Sequence, residues 1–285
     1  MAFAALAFAM LIWAGNWVMG RALRDSIDPV SLNFMRWAIA VLVLTPFALP
    51  GAIRAWPIIR TRYGLLFLLS LTGVTLFHAM VYHGLRTTTA VNGVLLNSSL
   101  PLFILLCSWI LDREHATRRQ IAGMLLSFAG IVVIMSHGEI ERLRALEFHA
   151  GDAWILLAMP VWGIYAVLLK RRPPELGGLT LLFVIAVLGT AMLAPALAVE
   201  GLRLPRTGPE AAAVVYMGLG ASLAAFICWN HGTKVVGANA AGFTLHLLPA
   251  FGTILAIIFL GEAFGLFHAV GIAVIIAGVV LATRR

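Results

Sequence analysis

The chain has 285 residues, of which 61% are hydrophobic and 11% are charged, and its formal net charge is +8. A soluble domain is roughly 45–50% apolar and about 25% charged, so this composition excludes an ordinary water-soluble protein. The positive charge first suggests a nucleic-acid partner. The basic residues, however, form short runs between apolar stretches, so we expect a lipid bilayer and not nucleic acid.

Apolar stretches of about 20 residues predict ten transmembrane helices and therefore an all-α polytopic membrane protein. These stretches lie near residues 2–20, 30–49, 63–83, 89–111, 118–136, 152–169, 178–199, 210–230, 237–260 and 265–282. The two cysteines, Cys107 and Cys228, lie inside apolar stretches and form no CxxC pattern. We expect neither a metal nor another cofactor.

The basic residues also predict the orientation. Ten spans place both termini on one side of the membrane. The loops on that side hold twelve Lys and Arg residues, and the opposite loops hold seven. Because cytoplasmic loops carry the excess of Lys and Arg, we expect a multi-pass protein of the cytoplasmic (inner) membrane with both termini in the cytoplasm.

The second half of the chain repeats the first after 148 residues. The aligned identities include His83-Gly84 with His231-Gly232, Pro101 with Pro249, Glu114 with Glu262, Gly123 with Gly271 and Gly130 with Gly278. A shift of one more residue places Trp13 on Trp162. We expect a first five-helix repeat at residues 1–136, a connecting loop at 137–151 and a second repeat at 152–285. Five spans per repeat invert the second half, as in secondary transporters with a midplane substrate site.

The residues in these repeats form a family pattern. Spans one and two contain Trp13-Ala-Gly-Asn16-Trp17, Asp28-Pro29 and Phe34-Met-Arg36. Spans four and five contain Pro101, Asp112-Arg-Glu114 and Gly123 to Gly130. Spans nine and ten contain the corresponding motifs Pro249, Leu260-Gly-Glu262 and Gly271 to Gly278. The pattern resembles the EamA-type transporters of the drug/metabolite transporter superfamily over essentially the whole chain. The resemblance implies a central cavity lined by helices 1, 3, 4, 6, 8 and 9. It also implies export of small solutes such as amino acids, sugars or nucleotide-related metabolites. The aromatic residues of helices 1, 3 and 6 are similar to those of the YddG-type aromatic amino acid exporters.

Polar and aromatic side chains inside apolar spans are candidates for a solute site, since buried polar groups are costly unless paired or wet. The candidate substrate-binding residues are Trp13, Asn16, Trp17, His78, Tyr82, Asn97, Ser98, Trp162, Tyr165, Asn230, Thr244 and His246. The alternative is that each polar residue only binds a neighbouring helix. Pro101 and Pro249 are candidates for helix kinks with a role in gating, and the alternative there is an ordinary packing kink.

Two glycines, Gly15 and Gly163, would leave room for a ligand beside the tryptophans.

Other residues are interpreted as structural. We expect Arg36 to snorkel to the interface or bind a carbonyl. Glu114 and Glu262 are expected in loops or caps. The paired glycines of helices 5 and 10 predict scaffold or dimer contacts, in a monomer or weak homodimer. Interfacial anchoring is predicted for Trp37, Trp56, Trp154 and Trp229.

The resulting prediction is a secondary transporter, either an exporter or a facilitator, that moves small organic solutes by alternating access. We expect an uncharged or zwitterionic solute with an apolar or aromatic body, such as an amino acid. No Asp or Glu lies in the middle of a span, so the flux is predicted to follow the gradient of the solute. The alternative is a proton-coupled drug or metabolite exporter that uses His78 or His246. A membrane enzyme is disfavoured, because GxSxG, HExxH and paired mid-membrane carboxylates are missing from the sequence. A channel is disfavoured by the aromatic residues of the expected cavity and by the inverted repeat.

Overall fold

The computed structural model describes residues 1–88, 90–260 and 265–284, without the side chains of residues 90, 91, 140, 142, 256, 259 and 260. Glu262, which the repeat pairs with Glu114, lies outside the described residues. Within them the chain forms helices and no strands, and ten helices are long and apolar enough to cross a membrane. These helices, here numbered span 1 to span 10, are Ala2–Ala22, Pro29–Arg54, Tyr63–Thr87, Asn92–Asp112, Arg118–Ser136, Ala150–Arg171, Gly178–Glu200, Gly208–Val236, Ala238–Leu255 and Leu266–Thr283. The predicted all-α architecture with ten spans is therefore confirmed.

The ends of several spans carry sequence signals for helix starts. Asp28 precedes Pro29 at the start of span 2, and its carboxylate accepts a hydrogen bond from the Ser31 amide at 2.8 Å. Thr117 and Gln120 form a reciprocal capping box at the start of span 5. The connections are short and include two small helices, Trp56–Thr61 and Ile140–Arg144.

Spans 4 and 9 are broken helices. Span 4 falls within two helices, Ala90–Asn97 and Leu100–Asp112, and span 9 falls within two others, Ala238–Thr244 and Leu247–Leu260, which continues beyond the end of the span. Pro101 and Pro249 lie in the first turn of the second segments, where a missing amide proton costs little. The predicted kinks are thus full breaks, at equivalent positions of the two repeats.

Spans 3 and 8 each contain a π-helical segment, Leu71–Leu76 and Met217–Ala224. These segments are again equivalent under the 148-residue repeat. A π-helix changes the carbonyl pairing of the helix, and neighbouring side chains bind some of these carbonyls. The Asn33 amide donates to the carbonyl oxygens of Val74 and Thr75 at 3.1 and 3.2 Å.

The two halves pack through reciprocal contacts. Span 3 packs on span 6, and the equivalent span 8 packs on span 1. Spans 5 and 10, the last helices of the two halves, lie against each other along their glycines: Gly123 meets Gly278, and Gly130 meets Gly271. Because the earlier glycine of one helix meets the later glycine of the other, these equivalent helices run in opposite directions. This arrangement is the one that an inverted repeat predicts, and it confirms the scaffold role expected for both helices.

Candidate functional site

A cluster of aromatic rings fills the centre of the molecule. Trp13 of span 1 and Trp162 of span 6, which are equivalent in the repeat, contact each other edge to face with ring centroids 5.3 Å apart. Phe226 of span 8 lies 5.6 Å from Trp13 and 5.7 Å from Trp162. The Trp13 indole is held by a hydrogen bond to the Ala221 carbonyl at 3.0 Å, inside the π-helical segment of span 8. Rings from both halves therefore meet at the interface between the repeats.

A small pocket of about 20 Å³, room for about one water molecule, lies against this cluster. Its walls come from spans 1, 3, 4, 6 and 9. Six of the predicted site residues line it, namely Trp13, Asn16, Trp17, His78, Asn97 and Trp162. Trp17 is near the end of span 1 and Asn97 is near the start of span 4, so the pocket lies on the side of the cluster that is predicted to face away from the cytoplasm. This volume is far below the range of small-molecule sites, about 300–1,000 Å³, so the lining residues lie close together in a closed arrangement.

Two tyrosine–asparagine pairs flank the ring cluster. The Tyr82 hydroxyl donates to Asn16 Oδ1 at 3.1 Å, and the Tyr165 hydroxyl donates to Asn230 Oδ1 at 2.8 Å. The repeat places Tyr82 on Asn230 and Asn16 on Tyr165, so the two pairs are equivalent with the residue types exchanged. Only the pair with Asn16 reaches the pocket described above.

Arg36 lies behind the pocket and is fully buried. Its Nε donates to the Ser222 hydroxyl at 2.6 Å, and its Nη1 donates to the Tyr82 hydroxyl. The guanidinium carbon also lies 5.7 Å from the ring centroids of Trp37 and Tyr82. The expectation that Arg36 snorkels to the interface or binds a carbonyl is wrong, because its partners are two hydroxyl groups in the protein core.

The sequence model of the EamA-like transporter family matches this chain twice, at residues 1–136 and 149–284. The chain belongs to the EamA-like transporter family. A protein of Archaeoglobus fulgidus named an uncharacterized transporter is 32% identical over 98% of this chain and 96% of its own length. A probable terminal-alkyne amino-acid exporter of Streptantibioticus cattleyicolor is 28% identical over 99% of this chain and 93% of its own length.

One solved structure has the same fold. It superimposes with a TM-score of 0.78 at 21% identity and covers 99% of this chain and 96% of its own. The chain is thus an integral, multi-pass membrane transporter, as the resemblance of its motifs implied. Among the residues that the structure describes, no group of three or more His, Cys, Asp or Glu side chains could hold a metal ion.

Besides Tyr165 and Asn230, three more predicted site residues of this EamA-like transporter lie away from the pocket. His246, in the break of span 9, is fully buried, and its Nε2 contacts the Ser98 carbonyl at 2.9 Å while its Nδ1 contacts the Ser127 hydroxyl. The hydroxyls of Ser98 and Thr244 donate to carbonyls of their own helices, Val94 at 2.7 Å and Ala241 at 2.6 Å. His246 therefore ties the breaks of spans 4 and 9 to span 5.

Several other sequence interpretations need correction. Trp37 and Trp229 were predicted to anchor helices at the interface, but both are fully buried in the ring cluster. For the other two tryptophans, Trp56 and Trp154, the side chains are exposed, which is consistent with the predicted anchoring at the interface. Gly15 and Gly163 do not leave room for a ligand: a side chain at Gly15 would meet Tyr216, and one at Gly163 would meet Phe103 and Cys107.

Charged residues close the end of the molecule that is predicted to face the cytoplasm. Glu114 accepts hydrogen bonds from Lys170 at 2.7 Å, from Ser108 at 2.7 Å and from Asn239 at 3.3 Å. Lys170 also pairs with Asp112 at 3.2 Å. The hydrogen bond from the Lys170 ammonium, with a smaller one from Ser108, lowers the pKa of Glu114 despite its partial burial. Glu114 is a loop residue, as expected, and it joins spans 4, 6 and 9.

Proposed function

We propose that this EamA-like transporter is a secondary transporter that moves amino acids with apolar or aromatic side chains across the cytoplasmic membrane by alternating access. One observation carries the proposal. The pocket at the interface of the two halves is walled by the indoles of Trp13, Trp17 and Trp162, and Asn16 and Asn97 supply polar groups beside them. These lining groups suit a solute with one apolar body and one polar end, and the pocket must widen to admit it.

The substrate class is supported by the rings and by a relative. An aromatic or aliphatic side chain would pack on the indoles, and each aromatic pair adds about 0.5–1.5 kcal/mol beyond burial. The relative from Streptantibioticus cattleyicolor is named a probable terminal-alkyne amino-acid exporter. No carboxylate lies in the middle of a span, so a cationic solute would lack a counter-charge there.

Alternating access is supported by the different closure of the two ends. At the predicted cytoplasmic end, Glu114 and Lys170 join spans 4 and 6, and the ring cluster separates this end from the pocket. At the opposite end, Arg21, the repeat equivalent of Lys170, donates to the carbonyls of Leu85 and Thr88 at 2.6 Å. If each half took up the arrangement that the other half now has, the end that Glu114 and Lys170 join would open and the pocket would face the other side of the membrane. The broken spans 4 and 9 are the elements that could permit it.

We propose that transport is not coupled to a proton gradient and that the solute moves down its own gradient. Of the two histidines that a proton cycle could use, His246 is engaged at both ring nitrogens. His78 lines the pocket and contacts the rings of Phe77, Trp37 and Trp162. It is the residue on which a proton-coupled exporter, the second candidate function, would depend.

Counterflow in proteoliposomes tests the proposal. Vesicles loaded with unlabelled tryptophan should accumulate tritiated tryptophan, and unlabelled leucine should compete while glutamate and lysine should not. Trp162→Ala should reduce the uptake at least about tenfold, and Trp154→Ala, which removes an indole exposed at 43%, should leave it unchanged. Equal uptake by both variants, or uptake confined to permanently cationic dyes, would contradict the proposal.

The orientation and the oligomeric state are proposals as well. We propose cytoplasmic termini, and a monomer or weak homodimer in the inner membrane. In a variant without Cys107 and Cys228, a cysteine within residues 137–151 should react with an impermeant maleimide outside intact cells. A cysteine at Arg171 should react only after the cells are opened. The reverse pattern would overturn the orientation.

A further inference from the structure

Arg36 is a cation buried in the middle of the molecule that the proposed function does not yet use. It lies seven residues into span 2, about 10 Å from the start of that helix. It is fully buried, and the other Lys and Arg residues lie in loops or near the ends of the spans. A charged side chain at such a depth is costly and commonly marks a pathway or a ligand site.

The described partners of Arg36 do not balance its charge. Ser222 and Tyr82 contribute neutral hydroxyl groups, and Trp37 contributes a ring face. Among the residues that the structure describes, none of the ion pairs involves Arg36. Its Nη2 has no hydrogen-bond partner in the same set. A buried guanidinium with a free donor requires an anion to offset its desolvation.

The surroundings of Arg36 also carry unused donors. The indole nitrogens of Trp37, Trp162 and Trp229 and the amide nitrogen of Asn230 are buried without a described hydrogen-bond partner. These four groups donate. The same set also includes Asn33 Oδ1, which accepts, and His78 Nδ1, which accepts in one tautomer. The free donor of Arg36 itself is therefore the feature that favours an acceptor group.

A chain of hydrogen bonds connects Arg36 with the pocket. Arg36 donates to the Tyr82 hydroxyl, and this hydroxyl donates to Asn16 Oδ1 at 3.1 Å. Asn16 lines the pocket. The described residues include no acceptor for its amide nitrogen, which can therefore donate to a solute. The positive charge thus stands two side chains behind the pocket wall, in a dry environment where charge acts over longer distances than in water.

We infer that Arg36 is the counter-charge for a carboxylate of the transported solute. The carboxylate binds at the Asn16 amide, and Arg36 acts through Tyr82 and Asn16 as a positioning residue. The inference rests on the proposed function and specifies its substrate class: a monoanionic carboxylate on an apolar or aromatic body is required, and an ammonium group is dispensable. One guanidinium among neutral donors matches one negative charge better than a dianionic phosphate.

The experiment compares four indole compounds that differ only in their charged groups. Tritiated tryptophan is bound to the protein in lipid nanodiscs and displaced by tryptophan, by indole-3-propionate with its carboxylate alone, by tryptamine with its ammonium alone, and by tryptophanamide. Indole-3-propionate should compete within about tenfold of tryptophan, and tryptamine and tryptophanamide should be about 30-fold weaker or more, as expected for the loss of a buried charge partner. This comparison needs no variant and does not depend on the folding of one.

Variants then assign the selectivity to Arg36. Arg36→Gln should weaken tryptophan about 30-fold or more while leaving the affinity for tryptamine unchanged, and Arg36→Lys should recover part of the loss. Ser222→Ala, which removes a hydrogen bond and retains the charge, should keep the preference for carboxylates. If all four ligands weaken equally in Arg36→Gln, the role is structural and the inference fails.

The outcomes separate this inference from the function on which it rests. If tryptamine displaces tryptophan as well as indole-3-propionate does, the inference fails and transport of aromatic solutes stands. If no indole compound binds to the wild-type protein, the proposed substrate class is wrong, and the inference, which rests on it, is wrong as well.

Discussion

A methyl group placed on Gly130 of span 5 would lie 2.7 Å from the carbonyl oxygen of Gly271 in span 10. The two backbones are in direct contact there, and the carbonyl cannot rotate away as a flexible side chain could. The same contact recurs between Gly123 and Gly278. These two contacts join the halves of the transporter at their last helices.

The first prediction follows from this contact. Gly130→Ala should force spans 5 and 10 apart and lower the free energy of unfolding by about 1–3 kcal/mol, as overpacking does. Gly64→Ala is the matched control, because Gly64 lies in a helix and nothing is within 4 Å of its Cβ position. Thermal unfolding in detergent should show a lower midpoint for Gly130→Ala and an equal or higher one for Gly64→Ala. Equal midpoints for Gly130→Ala and the wild-type protein would refute the contact.

The second prediction concerns closure at the predicted cytoplasmic end. Glu114→Gln should weaken the junction of spans 4, 6 and 9, and the partly exposed ion pair suggests about 0.2–1 kcal/mol. The population open at this end should rise by a factor of about 1.5–5. A cysteine at the fully buried Ala241, in a variant without native cysteines, should then react faster with a maleimide at pH 7.5. Glu175→Gln, on an exposed side chain near the same face, should leave the rate unchanged.

The third prediction is the pH dependence of the same junction. The pKa of Glu114 is lowered from its ordinary value of 4.5, first by the hydrogen bond from Lys170. A carboxyl with a lowered pKa stabilises the folded state above its ordinary pKa, and this contribution is lost as the pH falls through the lowered value. The wild-type protein should therefore unfold at a higher temperature than Glu114→Gln at pH 6–7. The difference should shrink as the pH falls below 4.5, and a difference that grows on acidification would contradict the assignment.

The fourth prediction separates the two buried histidines. His78→Gln should weaken solute binding because His78 lines the pocket, and His246→Gln should mainly lower the unfolding temperature because its ring ties three helices. Flux in vesicles should continue when a protonophore collapses the pH gradient. Uphill accumulation of the solute driven by a pH gradient, and lost in His78→Gln, would instead establish proton antiport.

Sequence alone predicted the ten spans because an apolar stretch long enough to cross a bilayer is rarely compatible with a water-soluble fold. It also singled out Trp13, Asn16 and Trp162, since polar and aromatic residues in the middle of a span stand out, and the structure brings these three to one pocket. Their role in solute binding stays a prediction. It misplaced Trp37 and Trp229, and the reason is physical. Lipid and protein core are both apolar, so the face of a membrane helix that carries an indole cannot be assigned from hydropathy.

Arg36 was misjudged for a related reason. Its distance from the helix end allowed the side chain to reach the interface, and only the packing of spans 3 and 8 against span 2 shows that it does not. A useful signal was present in the sequence: Arg36 is the single basic residue that falls well inside a predicted span. The contact between His246 and the Ser98 carbonyl could be found only from the folded structure, because these residues are 148 positions apart.

The exchanged tyrosine–asparagine pairs show that the two halves share a contact that their sequences conceal. The first half bonds Tyr82 to Asn16, and the second bonds Asn230 to Tyr165, so the same bond occurs in both halves with its two residues on exchanged helices. A position-by-position comparison of the halves counts two mismatches where the molecule retains one bond. The halves of this protein are therefore more alike in their contacts than in their letters.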